Sequence, residues 1–220
     1  MAINTLADIT DEARLALAYT PPIMRNALRI FLEFDARLAR IVSATNEPML
    51  GQVRLAWWRD TLGMDVSERP TGDAVLDAVG EEWVGREDAL IALVDGWEQM
   101  LSEPPLSRKA ASAYADGRAV GLASLAALAG GGAAIRDSLE AAGRLWALAD
   151  AASHVAPGEE RDTLISIARE APRPRCLPAP YKGIAVLAAL SERALKAGGA
   201  PLMAGRGAAI VAWRAGLLGR

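Results

Sequence analysis

Apolar residues recur along most of this chain at intervals of three and four, the repeat of a helix that buries one face. The pattern is densest from Leu28 to Leu62, LRIFLEFDARLARIVSATNEPMLGQVRLAWWRDTL, the stretch around which the rest is organised. There Leu28, Phe31, Phe34, Leu38, Ile41 and Val42 share one face of a first long helix. Met49, Val53, Leu55, Trp58 and Leu62 do the same in a second, and Asn46-Glu47-Pro48 joins the two. Before them, Leu6, Ile9, Ala13 and Ala16 predict a helix within Met1–Tyr19, with Asp8, Asp11 and Glu12 placed at its start to suit the helix dipole. Thr20-Pro21-Pro22 breaks that helix and begins the first long one. Along its polar face Arg25, Arg29, Glu33 and Arg37 follow at intervals of four, which reads as a solvated ladder worth on the order of a few tenths of a kcal/mol per pair.

Further helices are predicted around Val75–Trp83, over Asp88–Leu101, Ser107–Leu128, Ala133–Val155, Glu159–Glu170, about Tyr181–Lys196, and over Leu202–Leu218. The Ala-rich member, Ser107–Leu128, carries small residues that allow neighbouring helices to approach closely, and Gly130-Gly131-Gly132 ends it. That triplet has no preceding strand and no following Lys-Ser/Thr, so it is punctuation and not a phosphate loop. The proline-rich run Ala171–Pro180 is the one linker, and the two helices after it are expected on the same core. The fold class is all-α, in one domain.

Three segments carry a family resemblance. Phe34-Asp35-Ala36-Arg37-Leu38-Ala39-Arg40-Ile41, followed by Glu47-Pro48-Met49-Leu50-Gly51-Gln52-Val53-Arg54-Leu55-Ala56-Trp57-Trp58-Arg59-Asp60, matches a phrase F-x-x-E-L-A-x-I … E-P-M-L-G-Q-I-R-L-x-W-W-R-D. Tyr114 to Leu122 matches a Y-x-x-G-x-A-x-G helix, and Gly143 to His154 falls where a second acidic motif would lie. Together they resemble the squalene/phytoene synthase family, all-helical prenyltransferases that join two prenyl diphosphates head to head, and within it the subgroup of the phytoene-synthase-like complex I assembly factor. The resemblance spans roughly residues 18–155 of a single domain, 1–220, and implies an isoprenoid-synthase-like helical bundle.

Composition narrows the function little. A net charge of −3 gives no general reason to expect nucleic acid. Arginine outnumbers lysine, which stands only at Lys109, Lys182 and Lys196, and the single Cys176 rules out an internal disulfide and a cysteine-based metal site. No apolar run reaches the length of a membrane span, so the expected location is cytoplasmic, with peripheral membrane contact allowed.

The chemistry implied by the resemblance is Mg²⁺-assisted loss of diphosphate, with two acidic motifs holding the ions. Laid onto this chain, the first motif falls on Ala39, Arg40 and Ser43, with Arg37 in place of a glutamate. The second falls on Ala147 to His154 and leaves only Glu140 and Asp150 nearby, ten residues apart and nearly three turns from each other along a regular helix. Asp73, Asp77 and Glu81 have the spacing of a carboxylate array, but they also sit at a helix start where acids are expected as caps.

The expectation is therefore a catalytically degenerate relative that binds a prenyl or other lipid or acts in assembly, with no cofactor and no assigned catalytic residue. The alternative is a Mg²⁺-dependent prenyltransferase. The implied partners are a prenyl diphosphate or anionic lipid, or a protein. Arg37, Arg40, Arg54, Arg118, Asp150 and His154 are expected at the lipid head, and Phe31, Phe34, Trp57, Trp58, Tyr114 and Trp146 in a cavity wall or the core. His154 has two readings, as a phosphate contact or proton donor and as a residue favoured by a helix C-terminus.

Overall fold

The computed structural model describes residues 9–45 and 47–219, in which every regular element is helical. Leu6, Asp8 and Asn46, named above in the first helix and the inter-helix turn, lie outside the described residues. The helices are α1 (Asp11–Ala18), α2 (Pro22–Ser43), α3 (Pro48–Leu62), α4 (Ala74–Glu82), α5 (Glu87–Gln99), α6 (Arg108–Ser124), α7 (Ala133–His154), α8 (Glu159–Glu170), α9 (Lys182–Lys196) and α10 (Gly207–Leu218). The expected bundle is present.

α6 lies between α5 and α7, α9 packs on α7, and α10 and α1 both pack on α9. Within the stretch Leu28–Leu62, α2 touches α1, α3, α4 and α5, whereas α3 packs chiefly on α5. One cluster of buried residues extends from Ile9 to Ala215, so the helices after the proline-rich run do share the core. The close approach expected of the Ala-rich helix is real. A Cβ on Gly117 would fall 2.6 Å from the Ala92 carbonyl oxygen of α5, and one on Gly143 would fall 2.6 Å from the Ala119 Cα of α6. Backbone cannot yield as a side chain would, so only glycine lets α5, α6 and α7 meet at this spacing.

Several expectations need correcting. Met49 and Val53 of α3 are 74% and 63% exposed, and only Leu55, Trp58 and Leu62 of the proposed face are buried. The reason is that α3 packs chiefly on α5, where Arg59 reaches Asp95 at 2.6 Å and also Glu98, so its other side stays outside. The arginine ladder of α2 is salt-bridged as read, with Arg29 2.9 Å from Glu33, but it is solvated only in part, because Glu33 is buried and of the four only Arg25 is exposed. The Ala-rich helix ends earlier as an α-helix, continuing as a 3₁₀ turn over Leu125–Ala129 before Gly130 takes a left-handed φ of 70°. The last helix starts at Gly207, not Leu202, with Pro201 and the left-handed Gly205 in the preceding loop.

The loop after α3 is fixed by buried Arg69, which donates to the carbonyls of Leu62 and Met64 at 3.0 and 3.1 Å and to Glu87 at 3.1 Å. Burial pushes the Glu87 carboxyl up, but hydrogen bonds from the Glu87 and Gly85 backbone and from Arg69 outweigh it and hold the group below its ordinary value. A depressed folded value contributes stability above the unfolded value of about 4.3, and that contribution is lost as pH falls through the folded value. Glu87→Gln is expected to cost about 1 kcal/mol near neutrality and to flatten the acid limb of a plot of urea midpoint against pH. An unchanged limb would show that Glu87 does not set it.

Candidate functional site

A cavity of about 400 Å³ opens among α1, α2, α5, α6 and α7. α2 contributes Leu32, Asp35, Ala36, Ala39, Val42 and Ser43, spaced so that one helical face looks into it. α5 adds Trp97, α6 adds Tyr114 and Arg118, and α7 adds Trp146, Asp150 and His154 at successive intervals of four. Ile9 and Ala13 extend the apolar wall. The positions to which both acidic motifs were assigned thus come together at one cavity.

What stands there is a guanidinium. Arg118, 2% exposed, donates through Nε and Nη2 to the two carboxylate oxygens of Asp35, each at 2.8 Å, and through Nη1 to Asp150 at 2.7 Å. Asp35 also accepts from the Trp97 indole N–H at 2.8 Å. The guanidinium carbon lies 4.1 Å from the Trp146 ring centre, 5.1 Å from Trp97 and 5.2 Å from Tyr114, so aromatic faces enclose the cation on several sides.

Burial alone would lower the Arg118 pKa, but the charge of Asp35, with Tyr114 and Asp150 behind it, raises it well above the ordinary value and keeps the group charged. Burial also pushes the Asp35 carboxyl up, against the pull of Arg118 and Trp97. The Tyr114 phenol is likewise pushed well above its usual range by burial.

Mg²⁺ requires several carboxylate oxygens free to face it in near-octahedral geometry. Both Asp35 oxygens and one of Asp150 are already hydrogen-bonded to Arg118, and Ala39, Arg40 and Ser43 supply no carboxylate where the first motif was expected. The residues present do not fit the ions. Among the described residues no group of three or more acids, histidines or cysteines is arranged to hold a metal. Asp73 instead caps α4, accepting from the Val75 and Leu76 N–H groups, and Asp77 accepts from Gly72. Glu140 pairs with Arg144 at 2.6 Å and is not part of the cavity.

Of the residues expected at a lipid head, Arg40, Arg118, Asp150 and His154 line the cavity. Arg40 and His154 are exposed at its rim, and His154 Nδ1 lies 2.8 Å from the Asp150 carbonyl oxygen and 3.5 Å from its carboxylate. Arg37 is elsewhere, because it reaches Asp73 at the start of α4, 3.0 Å away. Arg54 stands on the exposed side of α3, lining a small depression with Glu47 and Leu50.

Tyr114 and Trp146 line the cavity. Phe31 packs in the core against Trp83 and Phe34 against Trp58, at 5.9 and 5.0 Å between ring centres. Trp57 belongs to neither place, being 44% exposed with its edge contact to Trp58. The sequence reading missed Asp35 and Trp97. For Asp35 a signal existed, because it falls in the buried stripe of α2 between Phe31 and Leu38, where an acid demands a partner.

Compared with known proteins, residues 10–167 match the family model described as squalene/phytoene synthase, a longer span than the motifs alone suggested. No curated protein and no solved structure gives a match.

Proposed function

The chain belongs to the squalene/phytoene synthase family, and within that family we propose that it holds one isoprenoid-like amphiphile in its cavity without ionising it. The observation that carries this reading is the Asp35–Arg118–Asp150 cluster, which ties up carboxylates where metal-bound diphosphate chemistry needs them free. A volume of about 400 Å³ is at the small end for ligand pockets. It suits a single occupant better than the two chains of a head-to-head condensation. The apolar wall takes the chain, and the rim, with Arg40 and His154, takes an anionic head. Trp146, which lines the cavity, also has a buried indole N–H without a hydrogen-bond partner among the described residues.

The test is binding of farnesyl diphosphate by the purified protein in Mg²⁺ and in EDTA, with diphosphate release followed in the same samples. Binding is expected in both buffers, release in neither, and Arg40→Glu should weaken binding about tenfold. Metal-dependent release above background would restore the prenyltransferase alternative and overturn the proposal. A role in assembly would draw instead on the outer side of α3, where Met49, Leu50, Val53 and Trp57 are exposed together. That reading predicts no binding in either buffer.

A further inference from the structure

Helix α10 is turned inside out. Its small residues Ala208, Ala212, Ala215 and Gly216 face the protein, and a Cβ on Gly216 would fall 2.1 Å from the Tyr19 ring at the end of α1. Its large apolar residues point the other way, with Ile210 63%, Trp213 57%, Leu217 51% and Leu218 54% exposed. At 3.6 residues per turn, Ile210, Trp213 and Leu217 make one outward stripe, with Arg206 one turn before Ile210 and Arg214 on the flank. At the far end, Lys182 Nζ donates to the Leu217 carbonyl at 2.8 Å.

Charge divides along the chain in the same place. Of 24 cations and 27 acids, residues 193–220 hold Arg193, Lys196, Arg206, Arg214 and Arg220 and no acid at all. The stretch before them is correspondingly acidic. Neither Arg206 nor Arg214 forms an ion pair among the described residues.

We propose that this face of α10 docks on an anionic lipid surface. An outward Trp, Ile and Leu stripe bordered by arginines is the arrangement of a helix lying in the plane of a membrane interface, with tryptophan at headgroup depth. Negative headgroups attract the basic flank. A second copy is the poorer occupant, because a twofold contact would set Arg206 and Arg214 against their own images with no acid on the helix to relieve them. α10 lies outside the residues matched by the family model, and the inference is independent of the cavity. No described helix is long and apolar enough to cross a membrane, so the contact is with the surface.

The experiment is flotation of the purified full chain with vesicles of phosphatidylglycerol mixed with phosphatidylcholine, and with phosphatidylcholine alone, at low and high salt. Co-flotation is expected with the anionic vesicles and should fall as salt rises. Trp213→Glu combined with Leu217→Glu should reduce the partition coefficient by at least about tenfold, and Arg214→Glu by about fivefold on anionic vesicles only. These residues are exposed, so circular dichroism and the melting temperature should hold in each variant. Absence of flotation, flotation indifferent to the Trp213 and Leu217 changes, or a dimer in solution abolished by those changes would each overturn the proposal.

Discussion

Arg118→Met is expected to destabilise the fold by about 3–5 kcal/mol, a large share of the roughly 5–15 kcal/mol that separates folded from unfolded domains. The cost arises because the variant keeps the buried acid and loses its counter-charge. Asp35 is 5% exposed, so removing Arg118 leaves its carboxylate with only the Trp97 N–H. Asp150, at 15% side-chain exposure, can still reach water. Burial already pushes the Asp35 carboxyl up in the intact protein, and without Arg118 nothing comparable opposes it.

The sign of the pH dependence follows. A carboxyl whose folded value is raised favours the fold while protonated, and that contribution is lost as pH rises through the folded value. The deficit of Arg118→Met should therefore shrink as pH falls, and over a higher pH range than for an ordinary surface ion pair, because burial raises the Asp35 carboxyl. Adding Asp35→Asn should recover much of the loss at neutral pH, since the amide carbonyl can still accept from Trp97 while the charge is gone. Urea unfolding of the two variants across pH measures both effects. A loss below about 1 kcal/mol for the single change would mean that the cluster behaves like a surface pair.

The sequence disclosed the helices, because each rests on periodicity read along one element. It disclosed the cluster only in part. Arg118 and Asp150 were identified from the Y-x-x-G-x-A-x-G helix and the second-motif region, yet their pairing depends on how closely α6 and α7 approach at Gly143, which no single-helix pattern expresses. Arg37 and Arg40 looked equivalent in sequence, three residues apart on one helix. A neighbour absent from any local pattern, the Asp73 cap of α4, draws Arg37 away and leaves Arg40 at the rim. Met49, Val53 and Ile210 misled or escaped the reading for one reason: periodicity shows that a helix has an apolar face but not whether anything packs on it.

Filling the cavity separates the ligand reading from every structural role of the same residues. Ala39 stands on the α2 face of the cavity, at the position the resemblance assigned to the first acidic motif, and is only partly buried. Ala39→Trp would direct an indole into the cavity while leaving Arg118, Asp35 and Asp150 in place as side chains. An indole takes up a large part of a cavity of about 400 Å³ and leaves too little room for a bound chain. Farnesyl diphosphate binding is expected to fall at least tenfold, roughly 1.4 kcal/mol, while the melting temperature holds or rises, because filling an apolar void in a stable fold is commonly stabilising. Arg118→Met makes the opposite combination, a large loss of stability from a change at the cavity's charged cluster. If Ala39→Trp left binding intact, the ligand would have to lie outside this cavity. If it lowered stability and binding together, the space would already be needed by the packed core, and the cavity could not be the site of a guest.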